Sequence, residues 1–279
     1  MLVRNIDLEI DYRSKGIVPP RKKCAFTGYE LGVYGDLTDI LRPAVIIFPG
    51  GAYSWISERE GEPVATSFLA AGVSAYVLSY TCCNSGFFPC AFIEALTAIQ
   101  YVREHAEENH EDPRKIFLCG FSAGGHCAAT AATMWNHRIA KDLGFDGTLF
   151  RPDGLILGYP VISSGLYAHD ESIRNLLGNR YETDRDLVSL EKQVNAETPR
   201  TFLWHTAADQ SVPVQNSLLF AKALADNGIS FEMHVYPKGE HGLSTARYDV
   251  LTPGRFSNDS YMLNSVPEWV CDAIRFIFE

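Results

Sequence analysis

Residues 116–134 read IFLCGFSAGGHCAATAATM. Ser122 stands there between Gly120 and Gly124, where an apolar run gives way to alanines. G-x-S-x-G between a strand and a helix predicts a nucleophile elbow, a turn so tight that its neighbours must be small. The serine hydroxyl is then held out over the strand ends, where open α/β sheets bind ligands. A hydroxyl is a weak nucleophile at its own pKa and needs a base. His241, in PKGEHGLS just after the apolar run FEMHVYP, is a loop histidine at the same predicted sheet edge. Of the other histidines, His105 and His110 sit in a charged helix end, and His126 is expected to pack inside its helix. His137, His169, His205 and His234 match no pattern. A histidine base needs an orienting carboxylate. Asp209, in WHTAADQSVP, follows the run TFLWHT and is the candidate. Asp184, Asp186 and Glu240 are weaker alternatives, since none follows a predicted strand. The order along the chain is thus Ser122, Asp209, His241.

An attacked carbonyl develops negative charge on oxygen, which calls for N–H donors. The amide of Ala123, directly after the serine, is one expected donor. Gly51 and Ala52, in IFPGGAY, are the others, because bare backbone after a strand can approach a ligand closely. Tyr53 and Trp55 in the same loop, with Phe87 and Phe88, are equally good as pocket wall or as core.

The elements that must position these residues are short apolar runs: residues 44–49, 73–80, 115–120, 154–160, 201–206 and 231–237. Runs apolar on both faces and ending at turn signals suit buried parallel strands. Helical patterns separate them. Ser57 and Glu60 have the spacing of a capping box, with Gly72 as the stop. Pro89 sits at a first helical position, with Phe92, Ala95, Leu96 and Ile99 on one face. Pro213 opens another helix, with Leu218, Leu219 and Ala223 expected inward and Gly228 ending it. A last helix follows Asn264 and Ser265, has Pro267 near its start, and includes Trp269, Ile274 and Phe278. The alternation predicts one α/β domain over residues 1–279: a mostly parallel, doubly wound sheet flanked by helices. Residues 1–42 read as a lead-in with antiparallel edge strands. Residues 161–199 are polar and weakly periodic, and read as a small cap insertion.

Bulk properties narrow the partners. The 279 residues carry a net charge of −10, with 46% hydrophobic and 21% charged residues. That acidity argues against nucleic acid or an anionic membrane as main partner. No run approaches the roughly 18 apolar residues of a membrane span, and the first residues lack the apolar core of a signal peptide. Seven cysteines at irregular spacing do not read as a disulfide framework, so the expected home is the cytoplasm. Cys82, Cys83 and Cys90 lack the paired C-x2-C spacing of a zinc site. No metal or organic cofactor is expected. Oligomeric state, including a homodimer, is not readable.

The motifs PGGAYSWISEREGEPVA, GFSAGGH, LGYPVIS, TPRTFLWHTAADQSVPVQNSLLFAKAL and PKGEHGLS together resemble the α/β-hydrolase esterases and lipases. Specifically, they resemble compact bacterial esterases related to acetyl xylan esterases, often labelled xylanase-like or sugar hydrolases. The likeness covers roughly residues 43–245. It implies the α/β-hydrolase fold, with Ser122 as nucleophile, His241 as base and Asp209 as its orienter. It also implies Gly51, Ala52 and Ala123 as the oxyanion hole. One departure is Pro49-Gly50-Gly51-Ala52, where many relatives have His-Gly-Gly-Gly. The expected activity is hydrolysis of short-chain acyl esters, acetyl esters of sugars or xylo-oligosaccharides, through an acyl-enzyme. The alternatives on the same fold are a peptidase of the prolyl-oligopeptidase type and an aryl formamidase.

Overall fold

The computed structural model describes residues 1–33, 35, 40–250 and 265–279. Asn264, expected to precede the last helix, lies outside the described residues. Among the described residues, eight strands form one sheet in the order β1-β2-β4-β3-β5-β6-β7-β8. They are β1 (Leu2–Ile6), β2 (Ala25–Glu30), β3 (Arg42–Phe48), β4 (Ser74–Ser79), β5 (Glu111–Phe121), β6 (Gly154–Gly158), β7 (Thr201–Thr206) and β8 (Phe231–Tyr236). From β4 across to β8 every neighbouring pair is parallel. β1 and β2 extend the sheet by antiparallel pairing, β2 against β4. All six expected strands are present, and the lead-in supplies the antiparallel edge.

Strand β3 shows why the sheet is covered on both sides. Its alternate residues Ala44, Ile46 and Phe48 belong to one apolar cluster, and Val45 and Ile47 to the other. A strand buried on both faces needs helices above and below. The first cluster takes α2 (Cys90–Glu104), α3 (Ala123–Met134) and α7 (Gln215–Asp226). The second takes α1 (Glu62–Leu69) and α8 (Trp269–Phe278). Trp269 stacks on Trp204 of β7 at 5.2 Å and meets the Phe121 ring edge-on at 5.6 Å, which pins α8 beneath the central strands. Between β6 and β7, residues 161–199 include two short helices, α5 (Asp170–Leu177) and α6 (Tyr181–Asp184). A further short helix, α4 (Arg138–Asp142), follows α3.

Two local expectations are corrected. The face of α7 turned inward carries Asn216, Ser217, Phe220, Ala221 and Leu224, while Leu218 is half exposed. Polar anchors set that rotation: Asn216 Oδ1 accepts the Ile162 and Ser163 amides, and Ser217 Oγ meets His205 Nδ1 at 2.7 Å. The Ser57–Glu60 pair is not a capping box. Neither side chain caps α1, and Glu60 is turned instead toward the loop after β3. Among the described residues no helix is long and apolar enough to cross a membrane.

Candidate active site

Strand β5 ends at Phe121 and α3 begins at Ala123, so the reversal falls on Ser122 alone. Its backbone takes φ +53°, ψ −123°. A non-glycine residue held there stores strain of roughly 1–3 kcal/mol, which surrounding contacts must offset. They do so by fixing both sides of the turn. The Ser122 amide donates to Gly158 O, and its carbonyl accepts from Val161 N and His126 N. A Cβ on Gly124 would lie 2.0 Å from the Phe48 carbonyl oxygen, so only glycine lets α3 approach β3 this closely.

The hydroxyl of Ser122 lies 2.8 Å from His241 Nε2, and His241 Nδ1 lies 2.7 Å from Asp209 Oδ2. The histidine comes from the loop after β8 and the aspartate from the loop after β7, so all three meet at one edge of the sheet. The other oxygen of Asp209, Oδ1, accepts the amides of Ser211 and Val212 at 2.9 Å each. Burial by itself would raise the Asp209 pKa. Hydrogen bonds from His205, His241 and the backbone outweigh it and hold the carboxyl well below the usual range. Asp209 therefore stays ionised at neutral pH. Asp184 and Asp186 are paired with Arg180 and Lys192 and do not reach His241.

The loop after β3 faces this cluster. Gly51 has φ +126°, and a Cβ there would sit 2.1 Å from the Trp55 carbonyl oxygen, so the position requires glycine. Ala52 and Tyr53 both follow at φ +54°. Among the described residues, the amides of Gly51, Ala52 and Ala123 have no protein acceptor, whereas Gly50 N is already bound to Glu60 Oε2 at 2.7 Å. Gly51, Ala52 and Trp55 line a cleft of about 210 Å³ with Ser122 and His241. Ala123 is buried behind the serine. The left-handed pair at Ala52 and Tyr53 swings the Tyr53 ring into the core. There its hydroxyl meets His126 Nδ1 at 2.9 Å and its ring packs edge-on against Tyr80. Tyr53 is thus no part of the cleft wall. Phe87 and Phe88 line a separate hollow beside α2. The thiols of Cys82 and Cys90 are pushed up to about 12 and about 11 by burial, and among the described residues no group of His, Cys, Asp or Glu could hold a metal.

Several participants carry no local signal. Glu60 holds Gly50 N and accepts the Tyr159 hydroxyl at 2.6 Å. Tyr159 accepts the Ser244 amide, and its ring lies edge-on to His241 at 5.0 Å. His205 lies buried beneath Asp209, its Nε2 3.0 Å from Val212 O and 3.5 Å from Asp209 Oδ2. Asn175 of α5 donates to Ala52 O at 2.9 Å. His169 and Glu171 bring the 161–199 segment into the cleft wall. Chemically, a hydrogen-bonded hydroxyl, imidazole and carboxylate beside unpartnered amides can attack a carbonyl and shelter the resulting oxyanion.

Comparison with known proteins agrees with this architecture. Residues 37–224 match the BD-FAE family. The chain is 39% identical over 222 residues to endo-1,4-beta-xylanase B of Butyrivibrio fibrisolvens, a match covering 78% of this chain and 35% of that protein. It is 28% identical over 240 residues to the acetylxylan esterase of Xylanibacter ruminicola, covering 83% of this chain and 47% of that one. The chain thus spans between a third and a half of these curated relatives. Among solved structures, the acetyl ester-xyloside bifunctional hydrolase of Caldicellulosiruptor lactoaceticus superimposes with a TM-score of 0.82 at 32% identity, over 99% of this chain and 95% of that one. With its mostly parallel eight-stranded sheet covered on both faces, the chain belongs to the BD-FAE family and has the α/β-hydrolase fold.

Proposed function

We propose that the chain is a serine carboxylic-ester hydrolase acting on short-chain acyl esters, in particular acetyl esters of sugars or xylo-oligosaccharides. The continuous hydrogen-bonded series Ser122–His241–Asp209 at the cleft carries this reading. Ser122 Oγ attacks the ester carbonyl as His241 Nε2 takes its proton. The oxyanion is received by the amides of Gly51, Ala52 and Ala123. Collapse of the tetrahedral intermediate expels the alcohol, protonated by His241, and leaves an acyl-serine. Water, activated by the same nitrogen, then releases the acid. Asp209 keeps the Nδ1 proton in place and stabilises the imidazolium. The small volume of the cleft supports a short acyl group. The names of the Xylanibacter and Caldicellulosiruptor relatives support a sugar as the alcohol. The cytoplasm remains the proposed compartment, on the irregular cysteine spacing.

The test is acetate release from p-nitrophenyl acetate and from acetylated xylo-oligosaccharides, by wild type and by Ser122→Ala. Wild type should act on both, and the variant should lose nearly all activity with an unchanged melting curve. Near-wild-type activity of Ser122→Ala would overturn the nucleophile. Cleavage of proline-containing peptide amides or of formylkynurenine in preference to acetyl esters would overturn the substrate class.

A further inference from the structure

His169 stands at the mouth of the cleft with no role in the reaction described above. Where it stands is informative. The leaving oxygen must come within reach of His241 Nε2 to be protonated, so the alcohol lies on the His241 side of the cleft. His169, Glu171, Ser211 and Gly242 line the cleft together with His241. His169 is the anchored member of that set. Its Nδ1 is 2.8 Å from the hydroxyl of Ser172, which is fully buried. Ser172 is carried by α5, whose Ile173, Leu176 and Leu177 are seated in the core. The ring is thus fixed, and its Nε2 has no protein partner among the described residues. It also lies within electrostatic reach of both His241 and Asp209.

The protonation state suits a reader of neutral groups. Burial, reinforced by the nearby His241, holds His169 below the ordinary histidine range. It is a neutral imidazole at neutral pH, offering one donor or one acceptor through Nε2, according to the sense of the Ser172 bond. A hydroxyl answers either polarity, since it both donates and accepts.

Resting on the ester-hydrolase reading, we infer that His169 Nε2 binds a free hydroxyl on the alcohol part of the ester. His169 thereby selects esters of polyols, sugars included, over esters of simple alcohols. A fixed polar atom facing an alcohol that lacks this hydroxyl loses its partner, which is how a hydrogen-bonding site rejects a deoxygenated analogue.

The test compares kcat/KM for glycerol monoacetate and propyl acetate in wild type, His169→Phe and His169→Gln. The two alcohols differ inductively, and this difference cancels when the preference of a variant is divided by that of wild type. The preference for glycerol monoacetate should fall about tenfold in His169→Phe, the size expected for one hydrogen bond to a well-placed neutral group. It should be largely restored in His169→Gln, whose amide both donates and accepts. A preference changed less than about twofold in His169→Phe overturns the inference. Failure of wild type to hydrolyse either acetate would instead defeat the ester-hydrolase reading itself.

Discussion

The two oxygens of Asp209 have separate tasks: Oδ1 is held by two backbone amides, and Oδ2 alone addresses His241. This division makes Asp209→Asn informative. The amide oxygen must keep the Oδ1 position, because the Ser211 and Val212 N–H groups demand an acceptor. The NH2 group then falls opposite His241 Nδ1 and forces the proton onto Nε2, where the base should be. The variant should fold and be slowed by about 10⁴, the loss typical of a triad histidine in the wrong tautomer. Measured kcat on p-nitrophenyl acetate, with a thermal melt as control, checks this. If Asp184→Asn gave that loss and Asp209→Asn did not, the acid would have to be reassigned. At this scale Ser122, Asp209 and His241 are legible in sequence, because each is flagged by its immediate neighbours: glycines around the serine, and an apolar run before each of the other two. Tyr53 is not, since two successive left-handed residues, Ala52 and Tyr53, decide which way its ring points.

Elements from distant parts of the chain hold the site loops in place. Helix α5 reaches the loop after β3 through Asn175, whose side chain fixes the Ala52 carbonyl. An Asp at that position keeps the shape but loses the donor. Asn175→Asp should lower kcat about tenfold with little change in KM, because a misaligned amide is felt most by the developing oxyanion. A fall in KM-related binding with kcat intact would argue against this positioning role. Elsewhere, α2 presents buried Glu94, which accepts the Tyr12 hydroxyl and both the amide and the hydroxyl of Thr81. Glu94 thereby ties the lead-in segment to the end of β4. Burial raises its pKa to about 7, against a model-compound value of 4.5. The sign follows from proton binding. Between these values the folded protein keeps a proton that the unfolded chain releases, so stability falls as pH rises through that window. Buried Glu111, also raised to about 7, adds to the same trend. Each contributes at most about 3 kcal/mol. Buried His126, lowered to about 4, opposes part of the trend, since over that range the unfolded chain holds a proton that the folded one lacks. Glu94→Gln, which can donate to the two hydroxyls and accept from the Thr81 amide, should make stability fall less steeply over the window. Urea unfolding of both proteins near pH 5 and near pH 7.5 measures it, and equal slopes would refute the assignment.

In the whole molecule, the cleft is assembled where the parallel strands end. The loop after β3 supplies Gly51 and Ala52, the turn after β5 supplies Ser122, and the loops after β7 and β8 supply Ser211 and His241. The segment after β6 adds His169 and Glu171. The cleft space of about 210 Å³ favours a short acyl group. The value of kcat/KM should fall steadily from acetate through butyrate to octanoate esters, each methylene that does not fit costing about 1–3 kcal/mol of selectivity. A preference for octanoate would show that the cleft opens much further during turnover. The strand runs, their alternation with helices and the elbow motif are properties of neighbouring residues, so the sequence by itself determined the doubly wound sheet and the three residues its edge brings together. Only the tertiary structure decided what supports them. Glu60 meets Gly50 across 10 residues, Tyr159 meets Glu60 across 99, and Asn175 meets Ala52 across 123. The spacing of Ser57 and Glu60 even pointed to a helix cap instead. Such partners are chosen by which loops the sheet order brings side by side, and no local pattern of residue types records that choice.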